Sequence, residues 1–233
     1  MDKYMKLKDI PKGKRWAHFW EYYKIHTIVT VAVLVLVVML VKDVFFREKV
    51  DIVITESSVK YTTEAASAEL KRVLTLHARD FDGNGERVAD VYQITMSTDV
   101  NEDPQMIIAA QTRLVAQFQD ENAIIFLMDE DIYNYLKSDE DPEAMYADLS
   151  ETVGGSVTPL LGEDKTRLYL KDIPAYQDNE LLQQLPDLFF VMRREEHVNR
   201  KGDEKIAEIY DRSVQMMENL ASGAMQEDPV SAK

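Results

Sequence analysis

Residues 27–41 read TIVTVAVLVLVVMLV, fifteen positions without a charge and apolar on every side. A helix of that kind has no face to offer water, so it is buried in a large core or surrounded by lipid. Crossing a bilayer core takes about 20 residues. The run extends back through Tyr22, Tyr23 and Ile25, which predicts a transmembrane helix over 23–42. Lys24 and Lys42 reach the interfaces along their aliphatic stems. Trp16, Phe19, Trp20, Tyr22 and Tyr23 stand where an interfacial aromatic belt belongs. The segment after the run, MLVKDVFFREKV, has no small-x-small cleavage site, so the helix is predicted to stay as an anchor rather than leave as a signal peptide.

Orientation follows from the flanks. Seven Lys and Arg precede the helix (Lys3, Lys6, Lys8, Lys12, Lys14, Arg15, Lys24), and three follow it (Lys42, Arg47, Lys49). That bias predicts a cytoplasmic N-terminus and a C-terminal region outside the membrane. The expected division is a basic, aromatic juxtamembrane segment at 1–22, the helix at 23–42, a linker at 43–49, an extracytoplasmic domain at 50–223 and a disordered tail at 224–233. The outer part is strongly acidic. Residues 50–233 carry 37 Asp and Glu against 17 Lys and Arg, a net −20. Such a surface repels phosphate backbones and excludes nucleic acid as a partner. The chain has no cysteine, which excludes disulfides, thiolate metal sites and a cysteine nucleophile.

Strand and helix patterns alternate through the outer region. VDIVIT at 50–55 reads as a strand. The following segment sets Ala66, Leu70, Val73, Leu74 and His77 on one helical face, with Thr63 as cap. RVADVYQITMS at 87–97 reads as a second strand. Asp103-Pro104 opens a helix whose apolar stripe is Ile107, Ile108, Gln111, Leu114, Val115 and Phe118. AIIFLM at 123–128 has the continuous apolar character of a strand covered on both faces. A short helix with Ile132, Tyr135 and Leu136 follows, then loops with one short helix near 142–149. Strands are expected at 167–173 and 186–194. A last helix from Gly202-Asp203 to Gly223 carries Ile206, Ile209, Tyr210, Ser213, Met216, Met217 and Leu220. The alternation predicts an α/β domain with a mixed, partly parallel sheet. Asp129, Glu130 and Asp131 follow a strand directly, where they either cap the next helix or stand at a ligand edge.

The stretch DPQMIIAAQTRLVAQFQDENAIIFLMDEDIYNYL, together with LPDLFFVMRREE and the closing helix 203–221, resembles the extracellular solute-binding proteins of ABC importers. The resemblance implies a periplasmic-binding-protein-like fold and ligand capture. HFWEYYKIHTIVTV resembles the N-terminal anchors of uncharacterised Gram-positive membrane proteins, which implies a cell-surface location.

DFDGNGE at 80–86 follows the first half of an EF-hand loop. Asp80 falls at position 1, Asp82 at 3, Asn84 at 5, Gly85 at 6 and the Glu86 carbonyl at 7. Val88 and Val91 occupy positions 9 and 12, where oxygen donors are required. Asp80, Asp82, Asn84 and Glu86 are thus candidate calcium ligands, with Asp90 and Asp99–Asp103 as sources of further oxygens. The other reading is a polar turn, in which Asp, Asn and Gly serve the backbone. No phosphate loop, dinucleotide fingerprint, nucleophile elbow or HExxH occurs. The expected function is a membrane-anchored binding or interaction protein without catalytic activity, partnered by the bilayer and by other envelope or transporter proteins. A solute-binding component of an importer and a calcium-braced surface module are the alternatives.

Overall fold

The computed structural model of the protein describes residues 15–45, 50–81, 83–96, 103–136, 145–198 and 202–225. The linker residues 46–49, the candidate ligand Asp82, residues 99–102, the start of the helix expected at 142–149 and the tail 226–233 lie outside them. The chain forms two compact units, Met1–Glu48 and Lys49–Lys233.

The first unit contains α1, Arg15–Phe45. Among the described residues no helix is long and apolar enough to cross a membrane. The side chains of α1 from Lys24 to Leu40 form one continuous run among the described residues. Within that run the large apolar side chains from Ile28 to Leu40 are all exposed, at 47–66%.

The second unit is built on one five-stranded sheet in the order β2-β1-β3-β5-β4. Its strands are β1 Ile52–Ser58, β2 Ala89–Thr95, β3 Ile125–Met128, β4 Leu168–Tyr169 and β5 Phe189–Met192. β1 pairs parallel with β2 and β3, whereas β5 runs antiparallel to β3 and β4. The domain is therefore α/β with a mixed, partly parallel sheet. The two parallel connections carry helices to opposite faces, α2 (Glu64–His77) to one and α3 (Pro104–Gln119) to the other.

One face is mainly aliphatic. Ile54, Ile125, Leu127 and Met192 project from the sheet against Leu70 and Leu74 of α2 and Met216, Met217 and Leu220 of α8 (Glu204–Ser222), which follows the single-turn helices α6 (Pro174–Gln177) and α7 (Glu195–Val198). Asn219 donates to the His77 carbonyl at 2.8 Å and ties the two helices together. Gly223 ends α8 with φ +70, a left-handed cap that glycine adopts without strain.

The other face is aromatic. Tyr133 of α4 (Glu130–Leu136) stacks on Tyr146 at 4.9 Å between ring centroids, and Phe118 meets Phe126 at 5.3 Å. The Arg167 guanidinium lies 4.0 Å over Tyr133 and 2.5 Å from the Glu130 carboxylate, which lets the charge enter the stack.

Four expectations need correction. The α3 stripe is only partly a core face: Leu114 is buried and Ile107, Gln111 and Phe118 are half-buried, whereas Ile108 is 60% and Val115 42% exposed. In α4 the buried residues are Ile132 and Tyr133, while Tyr135 faces solvent. The strand expected over 167–173 stops after Tyr169 and becomes a 3-10 turn at Leu170–Asp172. The short helix placed near 142–149 is α5, Leu149–Thr152, capped by Asp148.

Candidate functional site

Open α/β sheets bind ligands beyond the carboxyl ends of their strands, where neighbouring connections leave to opposite faces. Here that point lies between β1 and β3, and the chain's own Asp129 carboxylate stands at it. Asp129, 8% exposed, accepts the Val59 N–H at 2.7 Å and the Ile132 N–H at 3.0 Å. It closes the end of β1 and caps α4 with one side chain, so the cap reading of Asp129 holds. Glu56, inside β1 and 3% exposed, accepts from the Thr62 hydroxyl at 2.6 Å and from Gln93 Nε2 at 2.7 Å. Ser57, which is paired with Met128 of β3, has its hydroxyl buried.

The 80–86 loop is organised by carboxylates bonded to the backbone. Asp80 Oδ1 accepts from Gly83 N at 2.7 Å and Asn84 N at 3.2 Å, and Oδ2 from Gly85 N at 2.8 Å. Asn84 Oδ1 accepts from Glu86 N at 2.6 Å. The two ends of the loop are held by Asp51, which accepts from Phe81 N and Val88 N, each at 2.9 Å. The structure thus brings Asp80 and Asn84 together as turn formers, with Glu86 entering through its N–H. Asp90 pairs instead with Lys71 at 2.8 Å, and Asp103 caps α3. Among the described residues no group of three or more His, Cys, Asp or Glu is placed to hold a metal ion.

Two clefts are polar. One, of about 490 Å³, is lined by Asp148, Glu151, Arg194, Glu195, Glu196 and Tyr210. Burial, then the neighbouring Glu195 and Glu196, pushes the Tyr210 phenol up to about 12. Asp148 is engaged as the α5 cap, and Arg194 Nε donates to the Tyr146 carbonyl at 2.9 Å. The other, of about 430 Å³, is bordered by Phe118, Met145, Arg193 and His197. Arg193 is spent on the backbone, donating to the carbonyls of Asp120 at 2.6 Å and Ala123 at 3.1 Å. His77, 2% exposed, is a core residue whose Nδ1 lies 2.8 Å from the Val73 carbonyl.

Within the second unit one flank leaves apolar side chains exposed. Met106, Ile108 and Val115 on α3 are 63%, 60% and 42% exposed, and Val53 and Tyr92 on the same face of the sheet are each 41% exposed. Arg113 is the single charged residue of α3. Asp51 and Glu56 escape a reading of motifs. The polar second half of VDIVITESS, a strand that turns from aliphatic to hydrophilic at its carboxyl end, is the signal that points to Glu56. No protein-family model, no curated protein and no solved structure matches the chain.

Proposed function

We propose that this protein is a membrane-anchored, extracytoplasmic interaction module without catalytic activity, whose contact surface is α3 with the adjoining face of β1 and β2. The observation that carries this reading is α3 itself. It is a sixteen-residue helix with one charge that fully buries Leu114, half-buries Ala110 and Phe118, and leaves Met106, Ile108 and Val115 exposed. Exposed apolar surface of this kind marks an interaction site. The anchor reading is supported by the exposed apolar run from Ile28 to Leu40 and by the excess of Lys and Arg before it.

The same features weigh against a solute receptor. The second unit has one sheet, which accommodates a single lobe of a periplasmic-binding-protein-like architecture, and the crevice where a solute would dock is taken by Asp129. The calcium-braced alternative has less support still, because both oxygens of Asp80 already accept backbone N–H groups.

Because the chain has no cysteine, Ile108→Cys gives a single reactive site in the full-length protein. A membrane-impermeant maleimide is expected to label it in intact cells. A photoreactive maleimide at the same position is expected to give discrete cross-linked species. Labelling only after lysis would overturn the outside location. Labelling with no cross-linked product would overturn the contact role of α3.

A further inference from the structure

β2 is the outer strand of the sheet, and among the described residues nothing pairs with its second edge. Edge strands are normally protected by proline, lysine, a bulge or brevity. ADVYQIT has no proline and no lysine, and it keeps an unbroken register with β1 over all seven residues. Its one charge, Asp90, is paired with Lys71 on its own domain. We propose that this edge pairs with the same edge of a second copy, forming a two-fold antiparallel β2–β2 junction. The proposal rests on the interaction-module reading and names its partner.

Charge selects the partner. A domain at net −20 resists its own approach over most of its surface. β2 and α3 together carry only Asp90 and Arg113, so this is the region where two copies meet without opposing carboxylates. A neutral, apolar surface is complementary to itself, as a two-fold contact requires. Register follows from the strand. Only pairing about its midpoint, Tyr92, engages all of Ala89–Thr95, and it sets Tyr92 against Tyr92, Val91 against Gln93 and Asp90 against Ile94. No like charges face each other. Paired side chains lie on one side of a sheet, so both Tyr92 rings and both copies of α3 fall on the aromatic face. That arrangement covers the exposed Tyr92 and brings the uncovered flanks of the two α3 helices to one surface.

The test uses full-length protein in detergent and in nanodiscs, with single cysteines. Directly opposed residues of an antiparallel pair stand about 4.5–5.5 Å apart at Cα, within disulfide reach. Tyr92→Cys is therefore expected to form an interchain disulfide under mild oxidation, whereas Thr95→Cys, opposite Ala89 and far from its own copy, is not. Tyr92→Lys is expected to raise the dimer dissociation constant about tenfold or more, while Tyr92→Phe leaves it unchanged. Added salt should tighten the dimer, because it screens the acidic surfaces. A monomer throughout, or a dimer in which Tyr92→Cys stays reduced, overturns the proposal. If Ile108→Cys still cross-links to a different protein in that case, the interaction module stands and the self-partner falls.

Discussion

The two faces of the sheet obey the same alternation of side chains yet end differently. The aliphatic face is sealed: α2 and α8 cover it with Leu70, Leu74, Met216, Met217 and Leu220, all nearly inaccessible. The aromatic face is sealed toward β3 and β5, where Tyr133, Tyr146 and Phe126 stack, and toward the carboxyl end of β2, where Ile94 and Met96 join the same cluster. At Val53 of β1 and Tyr92 of β2 it stays open, each 41% exposed. The contrast lies in the helices. α2 and α8 have a charged side to give to water, so folding fixes which side goes inward. α3 has apolar residues around most of its circumference and one charge, so folding satisfies one flank and leaves another unmet.

The sharpest way to break this comparison is to hollow the closed part of the aromatic face. Phe126→Ala removes a ring that is 0% exposed and is expected to cost about 3–5 kcal/mol, read as a shift in the urea midpoint. Next comes the clamp at the amino end of β1. Asp51→Ala leaves the N–H groups of Phe81 and Val88 without their acceptor and should cost about 2–3 kcal/mol. Asp80→Ala acts on the exposed part of the same loop and should cost about 1 kcal/mol.

A smaller effect is expected where α2 meets the segment around Asn179. Glu69 accepts from Arg72 at 2.7 and 2.9 Å and from Asn179 at 2.5 Å. Those bonds, Arg72 first, hold its carboxyl down to about 2. A carboxyl held below its unfolded value contributes stability that is complete above about pH 4.5 and disappears as the pH falls toward 2. Arg72 is 58% exposed, so solvent screens the pair and the contribution is about 0.5 kcal/mol. Thermal melts of wild type and Glu69→Gln should differ at pH 6 and converge near pH 2. The smallest effect on stability belongs to the open flank: Ile108→Ser is expected to change the unfolding free energy by less than about 0.5 kcal/mol. A loss near 2 kcal/mol there would mean that the domain itself covers Ile108, and the comparison would fail.

Much of this fold is legible in the sequence because local signals agree with the tertiary result. Thr63 and Asp103 cap the helices they precede, and Ala66, Leu70, Val73, Leu74 and His77 are the buried residues of α2. AIIFLM contains a strand buried throughout, as its unbroken apolar run implies. Periodicity misleads at Ile108 and Val115 of α3, since an apolar stripe records what a helix prefers to cover and not whether its own domain covers it. It also misleads at 167–173, where Pro174 and the turn at Leu170 end a strand whose composition favours continuing. The site is less legible, because its bonds join segments far apart in sequence. Asp129 could be placed at the end of β3 from the sequence, but its bond to Val59, seventy residues away, depends on strand order.

Asp129 has one more consequence. Where β1 ends and α4 begins, N–H groups converge in an arrangement suited to an anion, and the chain supplies that anion itself. Because the carboxylate is tethered, it competes as an intramolecular group, at an effective concentration that dilute solutes do not match. The pocket such sheets usually leave for a guest is here occupied by a permanent resident. On the function proposed above, the surface left for a partner is the flank of the sheet and not the end of its strands.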